Sequence, residues 1–266
     1  MWGATGASIQ SRPNGEYGEV YIYPYQRDEQ GNRIVNQGTG VWELDKTQQI
    51  KVGKITPDII GGLTTNLTYK DFSLNAVFDF QFGATMISQT NMYLLGNGSG
   101  KESLKYRDEA RGGLPYYVNK DGKRILLESH SAAVPADSFY PFILHDGVIT
   151  PGVTPDGKPN EMVISAEQYY SNLYWQSGMD LCEDMIYKSD YIALRSLSLT
   201  YNLPKKFLSK FHIQNAKINA YANNLCYIYK AIPNVTPEST QGTNSFTEVT
   251  NTPGMRSFGI GLNVSF

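Results

Sequence analysis

The chain has 266 residues and a mass of 29.7 kDa, enough for one or two domains with cores of their own, so size alone calls for no metal or disulfide staple. Charged residues make up 18%, against about 25% in an average soluble protein, while aromatic residues reach 12% and glycine supplies 25 positions. A formal net charge of −2 gives no basic field to draw a polyanion and argues against a nucleic-acid partner. No run approaches eighteen consecutive apolar residues and the mean hydropathy is −0.36, which excludes a transmembrane helix but not a transmembrane barrel, whose strands hide their apolar residues by alternation.

At the start, Met1-Trp2-Gly3-Ala4-Thr5-Gly6 lacks the basic and apolar regions of a signal peptide, so an exported form is expected to begin upstream or to have been trimmed. A first strand is predicted near residues 17–25. From Ile59, the residues Ile59, Gly61, Leu63, Thr65, Leu67 and Tyr69 alternate with Ile60, Gly62, Thr64, Asn66 and Thr68. From Phe72, the residues Phe72, Leu74, Ala76, Phe78, Phe80 and Phe82 alternate with Ser73, Asn75, Val77, Asp79 and Gln81. Only Lys70-Asp71 separates these period-two runs, which predicts a tight hairpin. Helical periodicity is scarce: 166–174 is one candidate, and 204–211, with Pro204 in its first turn, is another.

Further strands are predicted at 190–202 and 216–227. The chain closes on a third clear alternation, with Phe258, Ile260, Leu262, Val264 and Phe266 on one face and Ser257, Gly259, Gly261, Asn263 and Ser265 on the other. These make six strands. Their connections alternate between short (70–71 and 203–215) and long (26–58, 84–189 and 228–254), and the long ones carry most of the Gly, Pro and polar residues. A soluble β-sandwich has no reason to place every long loop at one end, whereas an outer-membrane barrel does, because its periplasmic turns are short and its extracellular loops long. Six strands cannot close a membrane barrel, since an open edge in lipid leaves backbone groups unpaired. Further strands are therefore expected from the same polypeptide or from another chain.

Four stretches resemble the C-terminal part of a SusC/RagA-type TonB-dependent outer-membrane transporter. They are Thr56-Pro57-Asp58-Ile59-Ile60-Gly61-Gly62 with Tyr69-Lys70-Asp71-Phe72-Ser73-Leu74; Tyr93-Leu94-Leu95-Gly96 to Lys101-Glu102; Ser189-Asp190-Tyr191-Ile192-Ala193-Leu194-Arg195 running on to Pro204; and Phe258-Gly259-Ile260-Gly261 running on to Phe266. Asn223-Asn224-Leu225 adds a weaker fifth. The resemblance implies that residues 1–266 are the C-terminal portion of a 22-stranded β-barrel, all-β and antiparallel, with the plug domain and the N-terminal strands absent. It also implies an outer-membrane location, a role as barrel wall and extracellular loops in nutrient import, of glycan or peptide, and no enzymatic activity. The implied partners are the remainder of the barrel, outer-membrane lipid, a surface lipoprotein of the SusD type, and the TonB complex acting through the missing N-terminal part. The last strand resembles a barrel-assembly signal, with Phe258, Gly261, Val264 and Phe266 at the expected spacing and Gly259 in place of the usual polar residue. The alternative class is a surface-attached β-sandwich that binds glycans, which would bury the Phe72–Phe82 apolar face against a second sheet.

Other constellations carry less. The segment from Gly96 to Ser103 has Leu95 and Glu102 where a phosphate loop needs Gly and Ser or Thr. His130, His145 and His212 are far apart in sequence with no ligand spacing, which argues against a zinc site, and no cofactor is expected. Tyr169, Tyr170, Tyr174 and Trp175 suit stacking on a ligand outside the membrane, yet they equally fill the core that a hundred-residue loop needs, and the core reading is preferred. Asn75, Asp79, Gln81 and Arg195 are the candidates to face the barrel lumen. Uninterrupted alternation upward from Leu197, Leu199 and Tyr201 would put Arg195 on the apolar face, so a β-bulge is expected at Arg195-Ser196, with Arg195 turned inward within reach of Asp79. Cys182 and Cys226 are expected to stay unbridged, because a turn flanked by Asn202 and Gln214 places Cys226 opposite position 190.

Overall fold

The computed structural model describes residues 6–176, 183–240, 246–252 and 254–266. In chain order the strands are β1 (Ala7–Gln10), β2 (Glu19–Ile22), β3 (Ile50–Lys54), β4 (Ile59–Tyr69), β5 (Phe72–Phe82) and β6 (Thr85–Ser88). They continue with β7 (Leu114–Val118), β8 (Arg124–Leu126), β9 (Leu144–Ile149), β10 (Val163–Ser165) and β11 (Ile186–Lys188). The last four are β12 (Tyr191–Asn202), β13 (Asn215–Lys230), β14 (Thr247–Glu248) and β15 (Ser257–Ser265). Three α-helices, α1 (Gln89–Gly96), α2 (Ala166–Ser171) and α3 (Lys205–Leu208), are short. No helix among the described residues is long and apolar enough to cross a membrane.

The chain divides into two compact units. One contains residues 1–53 and 87–186, the other 54–86 and 187–266.

In the second unit, five long strands form one antiparallel sheet in the order β15-β13-β12-β5-β4. The β4–β5 hairpin pairs Tyr69 with Phe72 across Lys70-Asp71, with Lys70 at φ +53° in the left-handed region. The short connections and the end of β15 lie at one end of the sheet, because Phe72 pairs with Tyr201 and Asn215 with Ser265. The expected bulge is present: β12 aligns Leu194 with Phe78 and Ser196 with Val77, leaving Arg195 as the extra residue. Against β13 the same strand slips twice, at Ile192/Ala193 and at Leu194/Ser196, and Asn224 adopts φ +50° there.

Residues 17–25 do not join this sheet. Only Glu19–Ile22 is extended, buried at every position, and it pairs with β1 in the first unit. Alternation misleads here because both faces of β2 are covered, and Pro24, which has no N–H to donate, follows directly. The first unit also contains the sheet β10-β9-β7-β8. The helical reading of 166–174 resolves into α2, capped by a reciprocal Ser165–Gln168 pair, and a π turn over Asn172–Gln176. Pro204 is the N-cap of α3 rather than its first-turn residue.

Two cross-strand pairs show why glycine is needed inside these strands. A Cβ on Gly61 would lie 2.5 Å from Cζ of Phe80, and one on Gly259 would lie 2.4 Å from Cζ of Tyr221. In each case the outer end of an aromatic ring covers the glycine of the neighbouring strand. Gly61→Ala is expected to cost about 1–3 kcal/mol through overpacking, and Phe80→Leu in the same chain to recover part of that cost. Thermal unfolding of the single and double variants in detergent measures the coupling; additive costs would contradict the packing described.

Candidate functional site

The register sorts the large sheet into two faces. On one lie Leu63, Leu67 and Tyr69 of β4; Phe72, Leu74, Phe78, Phe80 and Phe82 of β5; Ile192, Leu194, Leu197, Leu199 and Tyr201 of β12; Ile218 and Tyr229 of β13; and Phe258, Ile260, Leu262 and Val264 of β15. No charged residue occurs among them. Far from being buried, Leu63 is 60% exposed and Ile260 82%, and Phe72 stacks on Tyr201 at 4.6 Å between ring centroids. Soluble monomers rarely leave a contiguous apolar face of this kind in water. The second sheet that a sandwich would need is not present among the described residues.

The opposite face is polar and cross-linked. The Ser196 hydroxyl donates to Asn223 Oδ1 at 3.2 Å, Asn223 Nδ2 donates to Ser257 Oγ at 3.2 Å, and Thr200 Oγ1 donates to Asn219 Oδ1 at 3.3 Å. Asn75, Asp79 and Gln81 all lie on this face, and Gln81 Nε2 donates to Ser189 Oγ at 3.0 Å.

Arg195 is the centre of this face. Its Nε lies 2.8 Å from both carboxylate oxygens of Asp79, and its terminal nitrogen contacts Glu238. The Tyr227 hydroxyl donates to the other Glu238 oxygen at 2.6 Å. The guanidinium also sits 5.3 Å from the ring centroid of Tyr191 and 5.5 Å from that of Tyr227, within cation–π range. Glu238 belongs to the connection between β13 and β15, so a single cation ties that loop to the sheet. The loop has its own small core in Ile232 and Val235 against Met86. A recess of about 290 Å³ opens beside the ion group, lined by Arg195, Asn224, Tyr227, Glu238 and Arg256 among others. The pairing with Asp79 was expected from the sequence; the part of Glu238 was not, because nothing in the local pattern of a loop residue announces a partner so far upstream.

The terminal-strand candidates are spread over both faces. Phe258 and Val264 are on the apolar one, Gly261 is on the polar one with open space where a Cβ would be, and Phe266 follows β15, exposed.

In the first unit, Tyr169, Tyr170 and Tyr174 are buried. Tyr169 packs edge-on against Tyr106 and Trp42, and the Tyr170 hydroxyl donates to the Glu102 carbonyl at 2.9 Å. Burial pushes the Tyr170 phenol up to about 12, and Tyr169 rises for the same reason. These three rings lie in the interior of the first unit and not on a surface that a ligand would reach; the side chain of Trp175 lies outside the described residues. Arg33 lies 4.4 Å from the centroids of both Tyr25 and Trp42 and pairs with Glu183 at 3.2 Å.

Two of the histidines expected to be solitary meet, with His130 Nδ1 3.2 Å from His145 Nδ1 and Glu109 3.8 Å from His130. No group of three or more metal-ligating side chains occurs among the described residues. Cys226 is an exposed free thiol opposite Leu194, not opposite position 190, since Asn202 pairs with Lys217 and two slips follow. Cys182 lies outside the described residues.

No protein-family model matches the chain. In sequence it is similar to the TonB-dependent receptor P3 of Formosa agariphila, 23% identical over 244 residues that make up 89% of this chain and 19% of that protein. In structure it is similar to the RagAB peptide transporter, at a TM-score of 0.54 and 16% identity, covering all of this chain and 25% of the solved one. A RagAB peptide importer in the "open-open" state matches at a TM-score of 0.52 and 16% identity, again over 25% of its length. The chain thus spans about a fifth to a quarter of the proteins it resembles, and the structural likeness is one of fold.

Replacing Arg195 by Met leaves two carboxylates facing each other without a cation. The expected cost is about 1–3 kcal/mol, together with faster proteolysis between β13 and β15; adding Asp79→Leu and Glu238→Leu is expected to restore part of the stability, and no recovery would refute the ion group as the tether. In the first unit, hydrogen bonds from Lys51, the Glu16 backbone and Tyr21 hold Glu19 down to about 2 from an ordinary 4.5. Because the folded value is depressed, the stabilisation is complete above about pH 4.5 and fades as pH falls towards 2. Protection of the β1 and β2 amides, corrected for the intrinsic exchange rate at each pH, should fall across this range in the native chain and much less in Glu19→Gln.

Proposed function

We propose that this chain forms part of the wall, with the extracellular loops, of a TonB-dependent nutrient importer in the outer membrane. The observation that carries the reading is the exposed, charge-free apolar face of a five-stranded antiparallel sheet whose other face is hydrogen-bonded and carries the Arg195–Asp79 pair. Lipid covers such a face without a second sheet, and a water-filled lumen accommodates the other. Similarity to a TonB-dependent receptor and to a peptide transporter supports the same reading.

In this reading the short connections are periplasmic and the long ones extracellular. The barrel is completed by strands outside residues 1–266, and gating and energy come from a plug and the TonB complex. A SusD-type lipoprotein covers the outer opening, the cargo is glycan or peptide, and the chain performs no chemistry on it. Phe258, Gly261, Val264 and Phe266 serve as the barrel-assembly signal. The β-sandwich alternative requires a cover for Leu63, Phe258, Ile260 and Leu262 that the fold does not supply.

The test uses the native thiol at Cys226, which shares the apolar face, in a Cys182→Ser background with the protein in nanodiscs. A fluorophore on Cys226 is expected to be quenched by brominated lipid and shielded from iodide. One placed at Ser198→Cys, on the polar face, should show the reverse. Iodide quenching at Cys226 without bromolipid quenching would refute the membrane orientation.

A further inference from the structure

The end of the large sheet that carries the short connections has a charge pattern that strand pairing does not explain. Lys205, Lys206 and Lys210 lie in the turn between β12 and β13, all exposed, and no acidic residue occurs from Tyr191 to Pro237. The β4–β5 turn sits alongside, because the Asn202 amide donates to the Asp71 carbonyl at 2.8 Å, and it adds Lys70, whose ammonium lies 5.3 Å from the ring centroid of Tyr69. Asp71 is the one acid among these turn residues, so four lysines are offset by a single carboxylate in a chain whose net charge is −2. By contrast, Lys54 lies 2.6 Å from Asp58, Lys230 donates to the Val235 carbonyl at 3.0 Å, and Arg195 has Asp79. Lys205, Lys206 and Lys210 have no such partner among the described residues. A solvated turn accounts for the lysines but not for the ring among them. Phe207 is 55% exposed while its neighbour Leu208 is buried. Lys206 precedes the ring, and Lys210 follows it by one turn, on the same side. The apolar face ends here in Tyr69, Phe72 and Tyr201, aromatic residues of the kind that gather where acyl chains meet headgroups. A ring flanked by lysines just beyond such a belt has the composition of a segment that lies in the interface, with the ring towards the acyl chains and the ammonium groups among the phosphates.

We propose that the turn from Pro204 to Lys210, together with Lys70, is a binding surface for anionic phospholipid headgroups in the periplasmic leaflet. The inference rests on the membrane reading and adds to it a preference for one class of lipid. Charge complementarity selects the occupant: a zwitterionic headgroup brings no net charge to four lysines, whereas phosphatidylglycerol brings a negative charge with every molecule. Lysine meets a phosphate as a point charge on a flexible stem, without the fixed fork of arginine. The surface therefore selects charge and not one headgroup shape. Lys217 takes no part, because it alternates with Ile218 and belongs to the polar face.

The experiment compares brominated phosphatidylglycerol with brominated phosphatidylcholine, each at the same low mole fraction in nanodiscs of unbrominated phosphatidylcholine. One fluorophore is placed at Ile218→Cys, on the apolar face where Ile218 pairs with Tyr201, and another on Cys226, further along the same strand; the other cysteines are replaced by serine. At Ile218→Cys the phosphatidylglycerol is expected to quench about three times more strongly, the enrichment that a few lysines near the surface produce, while at Cys226 the two lipids quench alike. Lys205→Gln, Lys206→Gln and Lys210→Gln together should bring the ratio at Ile218→Cys to one, with thermal unfolding in detergent unchanged because all three side chains are exposed. The same charge removed from the first unit, by Lys101→Gln, Lys105→Gln and Lys120→Gln, should leave the ratio as it was. A fluorophore on Phe207→Cys should be quenched by brominated lipid and shielded from iodide. Equal quenching by the two lipids at Ile218→Cys would overturn the proposal. So would a preference that the triple turn variant keeps, or a Phe207→Cys fluorophore quenched by iodide alone. Failure of the membrane reading looks different, because Cys226 would then be quenched by neither lipid.

Discussion

A charged side chain cannot share the apolar face of the large sheet, and the position of Arg195 on β12 makes that constraint decide the geometry around it. The apolar residues of β12 fall into two sets, Ile192 and Leu194 above and Leu197, Leu199 and Tyr201 below, that are out of phase by one residue. Only an extra residue between them lets both sets face the same way, and that residue is Arg195. The bulge turns its guanidinium towards Asp79, and the half-buried pair, with side chains 26% and 34% exposed, then recruits Glu238 from the β13–β15 connection. The phase of a strand and the path of a loop therefore depend on one charge.

The sequence revealed most where one face had to be apolar and the other polar. Strands β4, β5, β12 and β15 were legible because a period of two survives along their length, and the bulge was legible because the period breaks once, at a charge. The register of β13 was not, since its slips near Asn224 and Ile228 leave no gap in the hydrophobic pattern, and a turn assumed to close between Asn202 and Gln214 displaced every partner. Strand β2 was misassigned for the opposite reason: with both faces covered, alternation has no meaning there. The contacts of His130 with His145 and of Glu238 with Arg195 each join a loop residue to a strand residue whose approach is set by the fold, and composition carries no trace of that.

The first unit stays folded with little regular structure because aromatic and ionic groups replace ladders. Arg33 is held between Tyr25 and Trp42 and fixed by Glu183, while the Tyr25 hydroxyl donates to Asp184 at 2.9 Å. The three-residue stretch Glu183–Met185 is thereby bound to the segment around β2. Buried tyrosines around Tyr169 fill the interior.

The edges of the large sheet carry the last step. A natural edge strand is guarded by lysines, proline, a bulge or very short length, because its free N–H and C=O groups invite pairing. Neither β4, over Ile59–Tyr69, nor β15, over Ser257–Ser265, contains a charge or a proline, and both pair regularly along their inner sides. Most of their apolar side chains, Leu63, Leu67, Tyr69, Phe258, Ile260 and Leu262, are more exposed than those of the inner strands. In the proposed importer, strands outside residues 1–266 continue the ladder on either side and the apolar face continues with them, and the absence of any charge, proline or bulge on β4 and β15 is what such neighbours would permit.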